Sequence, residues 1–176
     1  VMLIDCDLRK ATIHKKLKIK NSIGITSVLA NFCSLEEAII EINPCLSVLT
    51  SGPIPPNAAE LLSSKRMDDV LAKLNQEYDY IIIDTAPIGL VSDTSLVNRV
   101  VDMTLYVARE GSTTKDCIDF VNVLYDEQKL NDIQIVINGV NMGRRGYYYR
   151  RSYYYGYYYY SQKSKRKKSI INRLFS

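Results

Sequence analysis

Val1-Met2-Leu3-Ile4-Asp5-Cys6-Asp7-Leu8-Arg9 opens the chain with four apolar residues that run straight into two aspartates. An apolar run of this length that is continuous rather than alternating predicts a strand covered on both faces, as in a parallel sheet. Four more such runs follow, at residues 46–49, 80–83, 104–108 and 133–137. Helical patterns lie between them. Ser34-Leu35-Glu36-Glu37 has the spacing of a capping box that opens a short helix, and Asn57 with Glu60 repeats the idea. Met67, Val70, Leu71 and Leu74 fall on one helical face. Cys117, Phe120, Val121 and Leu124 repeat that spacing in a helix starting near Ser112 or Thr113. Strands alternating with helices predict right-handed βαβ units and an α/β fold with a doubly wound, mostly parallel sheet.

The composition agrees with one such domain. The chain has 176 residues, 47% hydrophobic and 24% charged, and no apolar run approaches the roughly 18 residues of a membrane span. No signal peptide precedes the first strand, and an opening without turn or cap reads as cut from something longer. Cys6, Cys33, Cys45 and Cys117 are scattered, with one histidine, His14, to join them. That pattern argues against zinc and against a disulfide framework, and predicts buried thiols in a reducing cytoplasm. His14 is expected to be structural.

The net charge of +4 hides a division. Residues 1–142 hold 13 Lys and Arg against 19 Asp and Glu, a balance of −6, whereas residues 143–176 hold 10 Lys and Arg and no acid. The chain therefore divides into an acidic domain, 1–142, and a basic tail, 143–176, which lacks any aliphatic face to bury and is expected to be disordered. Ten of the fourteen tyrosines stand in that tail: Tyr147, Tyr148, Tyr149, Tyr153, Tyr154, Tyr155, Tyr157, Tyr158, Tyr159 and Tyr160. Interleaved Arg144, Arg145, Arg150 and Arg151 allow an RNA-binding reading by stacking and phosphate contact, and low-complexity self-association is another.

Ligands of an open parallel sheet bind beyond the carboxyl ends of its strands. Two strands here end in acid, the first at Asp5 and Asp7, the third as Ile81-Ile82-Ile83-Asp84-Thr85-Ala86-Pro87. Aspartate is common at such junctions because it caps the next turn, so either motif alone is weak. Together they offer hard oxygens to a magnesium ion, which takes one or two carboxylates and keeps several waters. Asp84 after an apolar run has the form of a Walker B aspartate.

With these residues the chain resembles the bacterial tyrosine kinases, a P-loop family unrelated to the eukaryotic protein kinases. Leu3-Ile4-Asp5-Cys6-Asp7-Leu8-Arg9 fits the family's apolar-DxDxR motif, and residues 81–87 fit its apolar-DxxP Walker B. Arg9-Lys10 followed by His14, and Gly24-Ile25-Thr26-Ser27-Val28-Leu29, match further stretches. Ser51-Gly52-Pro53-Ile54-Pro55-Pro56-Asn57-Ala58-Ala59-Glu60-Leu61-Leu62 is the most specific match. Residues 1–142 are covered almost continuously, and a tyrosine-rich C-terminus is the family's other hallmark. Ala58 and Ala86 stand where proline is usual, which are mild departures. The serious one is that no Gly-x-x-x-x-Gly-Lys-Ser/Thr occurs among the eight glycines. In the family that loop, and a helix that builds an oligomeric ring, lie upstream of the DxDxR strand.

The resemblance implies a tyrosine autokinase that uses ATP and Mg²⁺ and regulates capsule or exopolysaccharide synthesis and export. It implies that Asp7 and Asp84 hold the metal and nucleotide, and that Asp5 orients or deprotonates the incoming phenol; the division between Asp5 and Asp7 stays open. Arg9 would contact phosphate or a neighbouring subunit, or form a surface ion pair. Asn138 would face the nucleotide base, or serve as the turn residue before Gly139. The tail tyrosines would be the phosphoacceptors, and no nucleic-acid partner is then expected for them. Implied partners are neighbouring subunits in a homo-oligomer, a membrane-embedded polysaccharide co-polymerase domain or activator, a tyrosine phosphatase and an anionic membrane surface met by residues 163–168. The implied place is the cytoplasmic face of the bacterial inner membrane. Two rivals share the fold: a MinD/ParA-type ATPase without kinase activity, and a catalytically dead fragment that acts as substrate. The first usually carries glycine shortly after the Asp-x-Asp, where this chain has Arg9.

Overall fold

β1 (Met2–Asp5) forms the middle of a four-stranded sheet whose order is β2-β3-β1-β4, with β2 spanning Ile39–Asn43, β3 Leu46–Leu49 and β4 Ile81–Asp84. β1 pairs in parallel with β3 on one side and β4 on the other, and β2 closes the far edge antiparallel to β3. This computed structural model describes residues 1–88 and 96–141. The chain divides into two compact units, Val1–Val101 and a second from Asp102 onward.

In the first unit the helices are short apart from one. α1 (Ile13–Leu17), α2 (Ile25–Leu29) and α3 (Leu35–Ala38) join β1 to β2, and α4 (Ala58–Ser63) and α5 (Lys65–Glu77) join β3 to β4. α5 buries Met67, Val70, Leu71 and Leu74, the i, i+3, i+4, i+7 stripe expected of its sequence. Ser64 starts it by accepting the Met67 amide, and extended Tyr78 stops it and leads into β4. The α5 stripe joins Met2 and Ile4 of β1, Leu49 of β3 and Ile25, Val28 and Leu29 of α2 in one core. Each such side chain, fully buried, contributes about 1.5–3 kcal/mol.

Alternation along β1 sends Met2 and Ile4 into that core and Leu3 and Asp5 to the opposite face. The parallel register sets Leu3 beside Ile82 and Asp5 beside Asp84 on that second face. Ile82 is 56% exposed there.

The second unit pairs β5 (Thr104–Arg109) in parallel with β6 (Ile133–Asn138) through α6 (Lys115–Asp126). All five expected strands are present and the fold is α/β with mostly parallel pairing. Coverage on both faces holds for β1 and β3. It fails for β4, β5 and β6, where Ile82, Leu105, Val107, Val136 and Ile137 are exposed.

Other details correct the sequence reading. β2 was not expected; it returns along β3 through a turn at Pro44, where Asn43 Oδ1 accepts the Cys45 amide. α6 starts at Lys115, and its buried face is Ile118, Val121 and Leu124, while Cys117 and Phe120 face outward. Ser34 does form a capping box with Glu37. Asn57 makes no cap: its side-chain amide donates to Glu60 Oε2 instead, at 2.9 Å. Of the cysteines, Cys6 is buried, Cys33 is half-buried and Cys45 and Cys117 are exposed, because the β2–β3 turn and the outer face of α6 carry the last two. Among the described residues no helix is long and apolar enough to cross a membrane. The tyrosine-rich tail lies outside the described residues.

Candidate functional site

The two acidic strand ends meet. β1 and β4 are hydrogen-bonded neighbours, about 4.8 Å apart as adjacent strands are. The pairing carries past the last residue of β1, since the Cys6 amide donates to the Asp84 carbonyl at 2.7 Å. Beyond it, Asp7 Oδ1 accepts the amides of Arg9 (3.2 Å) and Lys10 (3.0 Å) and so closes a tight turn. That turn brings the start of α1 back over Asp5, whose Oδ2 accepts the Ile13 amide at 3.3 Å.

Asp5 is fully buried, and its second oxygen, Oδ1, has no hydrogen-bond partner among the described residues. A buried acceptor left unsatisfied costs on the order of 1–3 kcal/mol. Burial pushes the Asp5 carboxyl above its ordinary value, against the backbone amides of Ile13 and Asp7, with the charges of Asp84 and Asp7 adding to the rise. Asp84 reaches solvent, yet is likewise raised, first by its partial burial and then by Asp7, with the Lys16 ammonium opposing. The three carboxyls thus stand close enough to repel one another, and the Lys16 ammonium offsets part of that repulsion at Asp84. Cys6 between them is pushed up to about 12 by burial and then by Asp5 and Asp84, which makes it an inert thiol.

This donor set suits a small hard cation: carboxylate oxygens only, one of them buried and unsatisfied. Among the described residues no group of three or more His, Cys, Asp or Glu is arranged to hold a metal unaided. A Mg²⁺ ion here would therefore complete its shell with water and phosphate oxygens.

The remaining expected residues fall as follows. Arg9 is exposed beside Asp7. Asn138 ends β6 in the second unit, where its Oδ1 accepts the Gly139 amide at 2.8 Å, the turn role. His14 is half-buried on α1 with Nδ1 unpartnered. The ten tail tyrosines lie outside the described residues. Lys16 was missed by sequence reading; the only signal for it was its place on the helix that follows the Asp-x-Asp turn.

The stretch 51–62 singled out in the sequence leaves β3 at the sheet end that carries the acids, and how it is held was not legible there. After β3, Thr50 and Ser51 are buried, and the loop 51–57 is held against α2. Asn21 Nδ2 donates to Ser51 Oγ (3.2 Å) and the Gly52 carbonyl (3.0 Å), and Asn21 Oδ1 accepts the Gly52 amide (2.9 Å). Thr26 Oγ1 lies 2.9 Å from the carbonyls of both Ser51 and Pro53. Gly24 makes this approach feasible, since a Cβ there would sit 2.3 Å from Gly52 N and Thr50 O.

No family model matches the chain. Tyrosine-protein kinase YwqD of Bacillus subtilis is 46% identical over 117 residues, covering 66% of this chain and 49% of its own length. The chain thus spans about half of that relative, and about a fifth of several longer tyrosine-protein kinases. The crystal structure of the VpsO kinase domain superposes with a TM-score of 0.74 at 32% identity, covering 80% of this chain and 70% of that one. MinD of Pyrococcus horikoshii, solved with Mg-ADP, gives a TM-score of 0.60 at 20% identity over 77% of this chain and 56% of its own, a likeness of fold alone.

Proposed function

This chain belongs to the bacterial tyrosine-kinase family, and we propose that it forms the acidic half of a site that passes the γ-phosphate of ATP to tyrosines of its own tail or a neighbouring copy's. The observation that carries the proposal is the convergence of Asp5, Asp7 and Asp84 at one end of the sheet, with Asp5 Oδ1 buried and unsatisfied.

Bound Mg²⁺ would neutralise charge on the β- and γ-phosphates. Asp84, the exposed acid, and Asp7 are the residues that would hold the cation and its waters. Asp5 is covered, so it would act through one water, accepting a proton released from the phenol, whose pKa near 10 calls for a base at neutral pH. Its raised pKa suits that work. Arg9, exposed two residues after Asp7, would contact phosphate or a neighbouring subunit.

The chain has no Gly-x-x-x-x-Gly-Lys-Ser/Thr, so the phosphate cradle must come from another segment. β4 is an end strand of its sheet, and among the described residues its outer edge is unpaired. A parallel strand added along that edge would satisfy its open backbone groups and end beside Asp84, where a phosphate-binding loop is needed.

In the same reading the acceptors are the ten tail tyrosines, and each phosphate adds about −1.5 to −2 charge. Five or six would cancel the +10 of the tail and release it from an acidic neighbour, loosening a homo-oligomer. Control of capsule or exopolysaccharide export at the inner membrane face, with a co-polymerase partner and a phosphatase, follows from family resemblance alone.

The test is phosphate mapping by mass spectrometry on the protein carrying its phosphate-binding segment, incubated with Mg²⁺ and ATP. Phosphate is expected on residues 147–160, and replacing the ten tyrosines by Phe should remove most of it while nucleotide binding persists. Hydrolysis of ATP without phosphotyrosine would overturn the kinase reading and favour the MinD-type ATPase.

A further inference from the structure

Loop 51–57 is more firmly held than a solvent loop requires. A side chain that makes three contacts, a buried threonine and two glycines packed backbone to backbone fix it to α2. Three prolines stiffen it further, since each fixes its own φ. Yet what it presents is apolar: Ile54 is 75% exposed, flanked by exposed Pro53 and Pro56. A rigid apolar crest is the kind of surface that binds with little ordering cost.

Its location gives it an occupant. Ile4 pairs with Leu49 and with Ile83, so the loop leaves β3 at the same sheet end as Asp5 and Asp84. β3 and β4 flank β1, which puts the start of the loop, just past Leu49, about 10 Å from Asp84, two strand spacings. An occupant must therefore bring rings for the crest and positive charge for Asp5, Asp7 and Asp84. The segment 144–160 of this chain supplies both, with ten tyrosines, four arginines and no acid. Its tyrosines also come in runs. In an extended segment side chains two residues apart point the same way at about 7 Å, so one ring can rest on the crest while the next-but-one approaches the acids.

We propose that Pro53, Ile54 and Pro56 form a ledge that docks one tyrosine ring of a neighbouring copy's tail and so positions a second tyrosine of the same run at the acid cluster. Ile54 is a positioning residue in this scheme: it reads the ring and not the hydroxyl. The scheme rests on the reading that tail tyrosines are the acceptors, and it gives their arrangement in runs a use, one ring docking while another is presented.

The test measures binding, so it is independent of phosphate transfer. A fluorescent peptide of residues 144–160 is titrated into the chain whose own ten tail tyrosines are serine, and anisotropy gives Kd. Peptides with Phe for every tyrosine should bind as tightly as the native one, and peptides with Ser about five- to tenfold more weakly. Ile54→Ser should weaken the native peptide by a similar factor and leave the Ser peptide unchanged, while Ile54→Leu restores binding; at 75% exposure neither change threatens the fold. Equal affinity of the Phe and Ser peptides, no effect of Ile54→Ser, or no binding of any peptide would each overturn the ledge. A docked peptide in a protein that transfers no phosphate would overturn the kinase reading and spare the ledge.

Discussion

Asp84 stands directly beside Asp5 on the neighbouring parallel strand, and the Asp84 carbonyl accepts the amide of Cys6. Two acids held side by side at a sheet end repel each other, and the fold tolerates this arrangement rather than gaining from it.

A pH dependence follows. Both carboxyls titrate above their ordinary value in the folded chain, so the native state keeps protons that the unfolded chain has released. Their contribution to stability is fully present below about pH 4, the unfolded value, and is lost as pH rises through the raised folded values. Asp84→Asn should make the cation-free chain slightly more stable at pH 7 and should flatten its urea-midpoint profile between pH 4 and 7. An unchanged profile would mean that neither burial nor Asp7 raises Asp84 in the folded chain.

The loop beside the acids depends on Gly24. Gly24→Ala would drive a methyl to 2.3 Å from backbone atoms of Thr50 and Gly52, and backbone cannot swing aside as a side chain does. A loss of about 3 kcal/mol, at the upper end for overpacking, is expected in chemical denaturation. Gly111→Ala is the contrast: it meets no atom within 4 Å and its φ is +75°, so only backbone strain opposes it, about 1 kcal/mol.

Core and surface should separate as cleanly. Leu74→Ala removes a fully buried side chain from the α5 stripe and should cost about 2–5 kcal/mol. Phe32→Ala, at a residue 85% exposed, should stay within about 0.5 kcal/mol.

Thiol labelling checks the burial pattern directly. Cys45 and Cys117 should react with a thiol reagent within the first fast phase, Cys33 more slowly, and Cys6 only on unfolding, being buried with its pKa pushed up to about 12. A fast Cys6 would mean that the turn after β1 opens readily.

Much of this was legible in residue order. Ile81-Ile82-Ile83 could be read as a strand because three β-branched residues in a row suit a pleated surface better than a helix. Met67, Val70, Leu71 and Leu74 announced a helix by period alone. β2 was not legible, because Ile39-Ile40-Glu41-Ile42 continues the pattern of the short helix before it, and pairing with β3 decides the matter. The face of α6 was misjudged by one position, since Phe120 and Ile118 are equally apolar and only packing distinguishes them. The acids were visible at strand ends, but their shared register was not: that depends on β1 lying next to β4, a fact of topology. Asn21, thirty residues before its partner Ser51, carried no signal at all.

The central claim is that Asp84 helps hold the cation through which phosphate reaches the tail. It is tested most directly by the initial rate of phosphotyrosine formation from Mg²⁺ and ATP in the protein with its phosphate-binding segment, wild type against Asp84→Ala. A fall of about 100-fold or more, the scale of losing one charge-stabilising group, is the predicted result. A rate within a few-fold of wild type would contradict it.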